Sequence, residues 1–292
     1  MKLATLRTCG NGTTAALALG VDGYLPLPAL NVGELLARSG WKALAAAALA
    51  QAEALGGEAA GVVPAHEADL APLLPTAGKV ICCGLNYADH IQEMGRELPE
   101  YPTLFAKYAD TLIGATDTIE VYGSDRVDWE AELAVVVGAQ LTRAGEHEAE
   151  AAIAGYTVAN DVSMRDWQNR TLQWFQGKAF DATTPLGPVL VTADEFPAGH
   201  GFAVSGRVNG ELVQHGNTAT LVFGPAKLLS YISQFTTLRP GDVVLTGTPG
   251  GVGMGMNPPR FLADGDILST EIGGIGRLEN RVRIRQGANA AR

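Results

Sequence analysis

The sequence predicts an α+β chain in which strands dominate and helices are few. Three observations carry that reading. The stretch Val127-Asp128-Trp129-Glu130-Ala131-Glu132-Leu133-Ala134-Val135-Val136-Val137-Gly138 alternates and then turns continuously apolar, as a strand entering a core does. Asn209-Gly210 stands between Phe202 to Val208 and Glu211 to Gln214, a strong signal for a two-residue hairpin loop. The chain carries 36 Gly and 15 Pro, and many of the glycines cluster at turns in its second half.

The elements follow in order. Lys2 to Thr8 and Thr14 to Leu19 read as short strands around a Gly10-Asn11-Gly12 turn. Trp41 to Leu55 is Ala-rich and predicts a helix that ends at Gly56-Gly57. Pro64 to Pro75 is a linker or an extended arm. Residues 1–75 are thus expected to form a small N-terminal α/β domain, with residues 76–286 as the β-rich body. Within that body, Tyr156 to Ala159 is a strand that ends at Asn160-Asp161. Phe223 to Phe235 predicts one amphipathic helix with Pro225 near its start. Arg239-Pro240-Gly241-Asp242 is a turn feeding the strand Val243 to Thr246, and residues 287–292 are a frayed tail.

Composition narrows the function. Hydrophobic residues make up 47% of 292, enough for a sizeable core. The net charge of −10 lacks the basic footprint that nucleic acid or an anionic membrane surface requires, so neither is expected as a partner. Three cysteines, two of them adjacent at Cys82 and Cys83, are no disulfide framework and suggest a reducing cytoplasm. Lys2 and Arg7 precede the apolar run Ala15 to Leu19, but Cys9-Gly10-Asn11-Gly12 interrupts, so no signal peptide is read.

Successive side chains on a strand alternate faces, which places Asp128, Glu130 and Glu132 together. No Lys or Arg stands among them, so they repel one another. A divalent cation would resolve that repulsion, and hard cations prefer carboxylate oxygens. The plainer alternative is a solvated strand face near a turn. Asp161, at the end of the next strand, would add a carboxylate. Lys178, in Gly177-Lys178-Ala179-Phe180-Asp181, is by itself an ordinary surface lysine. Gly250-Gly251-Val252-Gly253 is glycine-rich but opens no obvious helix, so a dinucleotide reading is rejected. His66, His147, His200 and His215 have no acidic or cysteine partner at a metal spacing and receive no role.

Taken together, the motifs resemble those of the fumarylacetoacetate hydrolase family. The matching segments are Ile81-Cys82-Cys83-Gly84-Leu85-Asn86-Tyr87-Ala88-Asp89-His90, Asp128-Trp129-Glu130-Ala131-Glu132-Leu133 and Asn160-Asp161-Val162-Ser163-Met164-Arg165-Asp166. They continue with Gly177-Lys178-Ala179-Phe180-Asp181, Pro185-Leu186-Gly187-Pro188, Val208-Asn209-Gly210-Glu211 and Pro240-Gly241-Asp242 through Gly253. They stand in the family's order. The resemblance implies a mixed β-sheet roll or sandwich, with the N-terminal α/β part as a small appendage. It implies a Mg²⁺ or Mn²⁺ site on Glu130, Glu132 and Asp161; Asp128 shares their strand face and is read as lying behind the ligands, where it could orient them or water.

The resemblance further implies that His90 and Glu93 activate water, on a segment that closes over substrate. As an i, i+3 pair they share one face of a short helix, which Asn86 could cap. A neighbouring carboxylate makes the imidazole a better base. From Asn86 to Pro102 few apolar anchors occur, and a lid is expected there. Lys178 matches the family lysine that steadies an oxyanion. Arg165 and Gln168 are expected to line the pocket, Thr248 to hold a substrate carboxylate, and Lys107 to lie near the pocket mouth. Tyr108 stands where the family usually has Pro, and Trp129 where Tyr is commoner, which leaves the pocket rim open.

The expected function is metal-dependent hydrolysis of the C–C bond of a 2,4-dioxo acid, an acylpyruvate such as fumarylpyruvate. Two alternatives on the same site are decarboxylation of oxaloacetate and isomerisation of a hydroxymuconate-type diacid. A third, from another class, is a non-catalytic binder of acidic ligands or metals, and the set of His90, Glu93 and Lys178 argues against it. The expected partner is a small 2-oxo acid, and the family implies a homodimer.

Overall fold

A sheet of ten strands forms the spine of the protein, and a second sheet of five packs on it. The structure is a computed structural model, and it describes residues 1–20, 23–55, 61–88, 91 and 97–285. In the large sheet the order is Tyr24–Pro26, Gly12–Ala18, Lys2–Thr8, Thr184–Thr192, Ile153–Asn160, Ala131–Val137, Val243–Leu245, Val80–Gly84 and Thr103–Lys107. Leu112–Ile113 joins it alongside Thr184–Thr192. The second sheet runs Glu211–Asn217, Ala203–Val208, Ile267–Ile272, Gly276–Arg285 and Ile119–Tyr122. Most pairs are antiparallel, but Val243–Leu245 lies parallel to Val80–Gly84, so the sheet is mixed. Among the described residues no helix is long and apolar enough to cross a membrane.

The strand Ala131–Val137 explains its own sequence. Ala134 and Val136 enter one core, and Val135 and Val137 enter the core under the helix Pro225–Ser233. Ala131 and Leu133 enter a third core, against Val204 and Ile272 of the second sheet. A strand covered on both faces has no polar side, hence the continuous apolar run. The predicted single strand from Val127 to Gly138 is interrupted, however. Val127–Asp128 pairs with Ser163–Met164 as a separate ribbon, and Trp129 and Glu130 belong to neither piece.

Local predictions hold where local chemistry decides. The helix Trp41–Leu55 spans the predicted residues; Gly56-Gly57 lies outside the described residues, as does the tail. The hairpin turns at Asn209 and Gly210 with φ of 50° and 84°, the paired left-handed conformation that a type I′ turn requires. The helix predicted from Phe223 to Phe235 covers Pro225–Ser233 and buries Leu228, Leu229 and Ile232.

Three strands among the first 75 residues, Lys2–Thr8, Gly12–Ala18 and Tyr24–Pro26, lie in the large sheet. Leu3 pairs with Leu190 on one side and with Leu17 on the other, and is fully buried. The Pro-bearing stretch is an extended arm beside this strand, where the Ala71 N–H donates to the Thr5 carbonyl at 2.9 Å. Leu35, Trp41 and Leu73 share one core with Val80, Ala134 and Leu245. Leu3→Ala is therefore expected to cost about 2–5 kcal/mol, the usual range for a buried leucine. Denaturation followed by tryptophan fluorescence and by far-ultraviolet dichroism should give one coincident transition. Two separated transitions would make the N-terminal residues an independent unit.

Candidate active site

The three carboxylates meet because of register. In the antiparallel pair of Ala131–Val137 with Ile153–Asn160, Glu132 lies opposite Ala159 and Ala131 opposite Asn160. Asp161 follows directly, and its N–H donates to the Glu130 carbonyl at 2.9 Å. Glu130, Glu132 and Asp161 are buried, and each offers an oxygen within 4.8 Å of the other two.

The interruption of the strand has its own support. Three consecutive N–H groups at the break are taken by side-chain oxygens. Trp129 donates to Asp128 Oδ1 at 2.8 Å, Glu130 to Asn160 Oδ1 at 3.0 Å and Ala131 to Gln214 Oε1 at 2.9 Å. Buried backbone donors need partners, and these capture the ones the ladder gives up. Asn160 is itself held by Thr270, and Gln214 donates to Thr248 Oγ1 and to the Pro249 carbonyl. Sequence reasoning assigns no role to Asn160 or Gln214. Gln214 lies on a hairpin strand of the other sheet, 83 residues from its partner, and carries no local signal.

Cationic side chains arrive from three further segments. Lys178 Nζ donates to Glu130 Oε2 at 2.6 Å and Asp161 Oδ2 at 3.0 Å, and Lys107 Nζ to Asp161 Oδ1 at 2.5 Å. Arg165 reaches Asp128 through Nε at 2.8 Å, Glu130 through Nη2 at 2.7 Å and Gln168 through Nη1 at 2.7 Å. Lys178 is not a surface lysine. It ends the short helix Phe175–Lys178, which lies close on Met164 and Gln168 because position 177 is glycine. A Cβ there would stand 2.5 Å from the Met164 oxygen and the Gln168 nitrogen.

Burial alone would lower the Lys178 ammonium, but Asp161 and Glu130 outweigh it and raise it above the usual lysine range. Burial alone would raise the Asp161 carboxyl, but Lys107 and Lys178 hold it below the usual carboxylate range. Glu132 differs. Burial, then Asp161 and Glu130, push its carboxyl well above the usual range, and its stated bond is from the Gly247 N–H at 2.7 Å. Among the described residues no cationic side chain forms an ion pair with it. With all four ionised, Asp128, Glu130, Glu132 and Asp161 carry four negative charges against three positive ones on Lys107, Lys178 and Arg165, which leaves one in excess, and the raised Glu132 carboxyl is where that excess falls. A divalent cation matches this site: three carboxylates converge, one has no cation of its own, and the group as a whole is short of positive charge.

Several expectations change. Lys107 is not at a pocket mouth; its side chain is fully buried on Asp161. Trp129 is not on a rim either; it is buried and donates to the Gly251 carbonyl at 3.1 Å. Tyr108 is exposed and stands edge-on to Phe175. Asn86 spends its carboxamide on the Phe223 backbone and the Thr246 carbonyl, a bridge across the fold, and most of the short helix it is expected to cap lies outside the described residues. Thr248 donates its hydroxyl to the Ala131 carbonyl at 3.0 Å, so the expected carboxylate contact falls to its backbone N–H. His90 and Glu93, with much of the expected lid, lie outside the described residues. The neighbouring thiols lie outside the carboxylate cluster, and burial raises Cys82 well above its usual value and pushes Cys83 up to about 12.

A β-rich chain with a buried, lysine-backed acidic triad at a strand break is the framework of a carboxylate-type metal enzyme. Comparison with known proteins supplies the family. The family profile described as Fumarylacetoacetate (FAA) hydrolase C-terminal matches residues 79–283. A mitochondrial oxaloacetate tautomerase of Rattus norvegicus is 48% identical over 206 residues, which cover 70% of this chain and 66% of that protein. Its Homo sapiens counterpart is 45% identical over 76% of this chain and 71% of its own. The crystal structure of fumarylacetoacetate hydrolase from Exiguobacterium antarcticum superposes with a TM-score of 0.81 at 32% identity, covering 98% of this chain and 100% of that one. A 5-carboxymethyl-2-hydroxymuconate delta-isomerase from Mycobacterium smegmatis gives 0.76 at 32% identity, over 98% and 99%. The chain belongs to the fumarylacetoacetate hydrolase family, and with that membership comes an enzyme's role.

Two outcomes follow for the triad. Glu130→Gln, Glu132→Gln and Asp161→Asn should each weaken Mn²⁺ binding by roughly tenfold or more, since even outer partners of a metal site are worth that much. Unchanged calorimetric affinity in all three would remove the site. Because burial, Asp161 and Glu130 raise the Glu132 carboxyl and a bound cation needs it ionised, Mn²⁺ binding should release protons. Affinity should then increase as pH rises through that elevated value. Calorimetry in buffers of different ionisation enthalpy measures the release, and an affinity independent of pH would contradict it.

Proposed function

We propose that this protein is a divalent-metal enzyme that interconverts the keto and enol forms of a 2-oxo diacid, with oxaloacetate as the first substrate to test. The observation that carries the reading is the charge of the buried site. With its four carboxylates ionised around a divalent cation, the site with Lys107, Lys178 and Arg165 carries one excess positive charge, which favours an anionic 2-oxo acid. The relatives at 45–48% identity, named as oxaloacetate tautomerases, support the choice of reaction.

Glu130, Glu132 and Asp161 would hold Mg²⁺ or Mn²⁺, which when bound supplies Lewis-acid polarisation of the 2-oxo acid. The protein's own groups do the rest. Lys178 Nζ stays an ammonium and donates to the oxygen on which charge develops. Lys107 fixes Asp161, and Arg165 fixes Glu130. The backbone N–H of Thr248 would take a substrate carboxylate, its hydroxyl being engaged by the Ala131 carbonyl and Gln214. His90, paired with Glu93, carries the proton between C3 of the substrate and solvent, while the enol oxygen gives up or regains its own. The reaction moves a proton and needs no co-reactant.

Acylpyruvate hydrolysis is the second reading, and the His90–Glu93 pair favours it, since water activation is its simplest use. Family membership supports a homodimer, and three free cysteines suit a reducing compartment such as the cytoplasm; the named relatives are themselves mitochondrial.

The experiment is a pair of assays on metal-loaded protein. Enol-oxaloacetate should lose its ultraviolet absorbance faster than in buffer, and a chelator should abolish the gain. Pyruvate release from acylpyruvates without any effect on oxaloacetate would select hydrolysis, and inactivity on both would refute the two readings together. His90→Ala should lower the rate by about two to four orders of magnitude, the scale of a lost general base. A near-normal rate would assign the proton to another group.

A further inference from the structure

The glycine-rich run Gly250-Gly251-Val252-Gly253 ends on an anion, which accepts from the N–H groups of Gly253 and the next residue, Met254. The anion is the protein's own Asp128. Its Oδ1 accepts from the N–H groups of Trp129 at 2.8 Å and Gly253 at 2.7 Å. Its Oδ2 accepts from Arg165 Nε at 2.8 Å and the Met254 N–H at 3.0 Å. The carboxylate is fully buried and has four donors. That leaves it no share in the ligand cluster, which comprises Glu130, Glu132 and Asp161.

Glycine is required at 253 for a steric reason. A Cβ there would lie 1.9 Å from the Arg260 carbonyl oxygen, 2.8 Å from the Trp129 ring and 2.9 Å from Asp128 Oδ1. The loop is held from both ends, by the Trp129 indole N–H on the Gly251 carbonyl and by the Leu262 N–H on the Val127 carbonyl at 2.8 Å. A continuous chain of contacts therefore runs from the loop to Asp128, from Asp128 to Arg165 Nε, and from Arg165 Nη2 to Glu130 Oε1.

We propose that Asp128 is a positioning residue: the loop's successive N–H groups fix its carboxylate, which sets the plane of the Arg165 guanidinium and so the orientation of Glu130 for a divalent cation. A guanidinium is planar with donors in a fixed fork, so pinning Nε determines where Nη2 points. The inference rests on the metal-site reading above but not on any substrate.

The test uses Mn²⁺ itself as probe, with affinity from calorimetry and the zero-field splitting of bound Mn²⁺ from paramagnetic resonance. Asp128→Asn keeps the shape but turns an amide N–H₂ toward Arg165 Nε or toward the loop donors, donor against donor. It should weaken Mn²⁺ by about ten- to a hundredfold, as loss of an outer partner typically does, and alter the resonance signal. Met254→Pro removes one loop N–H at an exposed residue and leaves every charged group in place. It should weaken Mn²⁺ by about threefold or more with the same change of signal. Native affinity and signal in a folded Asp128→Asn protein would overturn the proposal. If that variant does not fold, native affinity and signal in Met254→Pro would overturn it alone. Failure of the wild-type protein to bind Mn²⁺ would instead refute the metal-site reading itself.

Discussion

Four carboxylates gathered out of water are the constraint to which the rest of the site answers. Removing a charge from solvent costs several kcal/mol unless partners replace the hydration it loses. Three of the four acquire a cationic partner. Asp161 has two lysines, Glu130 has Lys178 and Arg165, and Asp128 has Arg165 and three backbone donors. Glu132 has a single stated bond, from the Gly247 N–H, and its carboxyl is pushed toward the protonated form. The imbalance is local, and it sits where a divalent ion would correct it.

The segment that carries Glu130 leaves the ladder, for Trp129 and Glu130 lie between the strands Val127–Asp128 and Ala131–Val137. The N–H groups freed by the break are recovered by Asp128, Asn160 and Gln214. All three also brace a second segment: Asp128 the loop at Gly253, Asn160 the strand at Thr270, and Gln214 the turn at Thr248. Glycine recurs at the contacts where backbone must touch backbone. Gly177 lets the lysine-bearing helix close on Gln168, and Gly253 lets the loop reach Asp128. Polar networks of this kind are rigid when every member is satisfied, and a metal site needs its ligands rigid.

The parts of the fold legible in the sequence are those that neighbouring residues decide. The alanine-rich helix Trp41–Leu55 and the Asn209-Gly210 turn follow from propensity and from left-handed backbone preference. The clustered carboxylates Glu130, Glu132 and Asp161 could be named because a motif and a strand end mark them. Lys107, Trp129 and Asn86 could be named as near the site but not placed. Their depth depends on strands and turns far along the chain: Asp161 for Lys107, Gly251 for Trp129, Phe223 and Thr246 for Asn86. The N-terminal strands read as an appendage because nothing near them in sequence announces Thr184–Thr192 as their neighbour in the sheet.

What the sequence by itself determined is therefore the inventory: a β-rich chain, a set of acidic ligands, a lysine and an arginine near them, and the family that shares them. What only the tertiary structure decided is which of those groups meet and which charges remain unbalanced. The reason is range. Helix propensity and turn conformation act over a few residues, whereas an ion pair such as Lys107 with Asp161, or a hydrogen bond such as Ala131 to Gln214, joins residues 54 and 83 apart. Such contacts exist only once both sheets are formed and their registers are set. The glycine-rich run shows the difference plainly, for its composition invites an external ligand and the assembled fold gives it Asp128 instead.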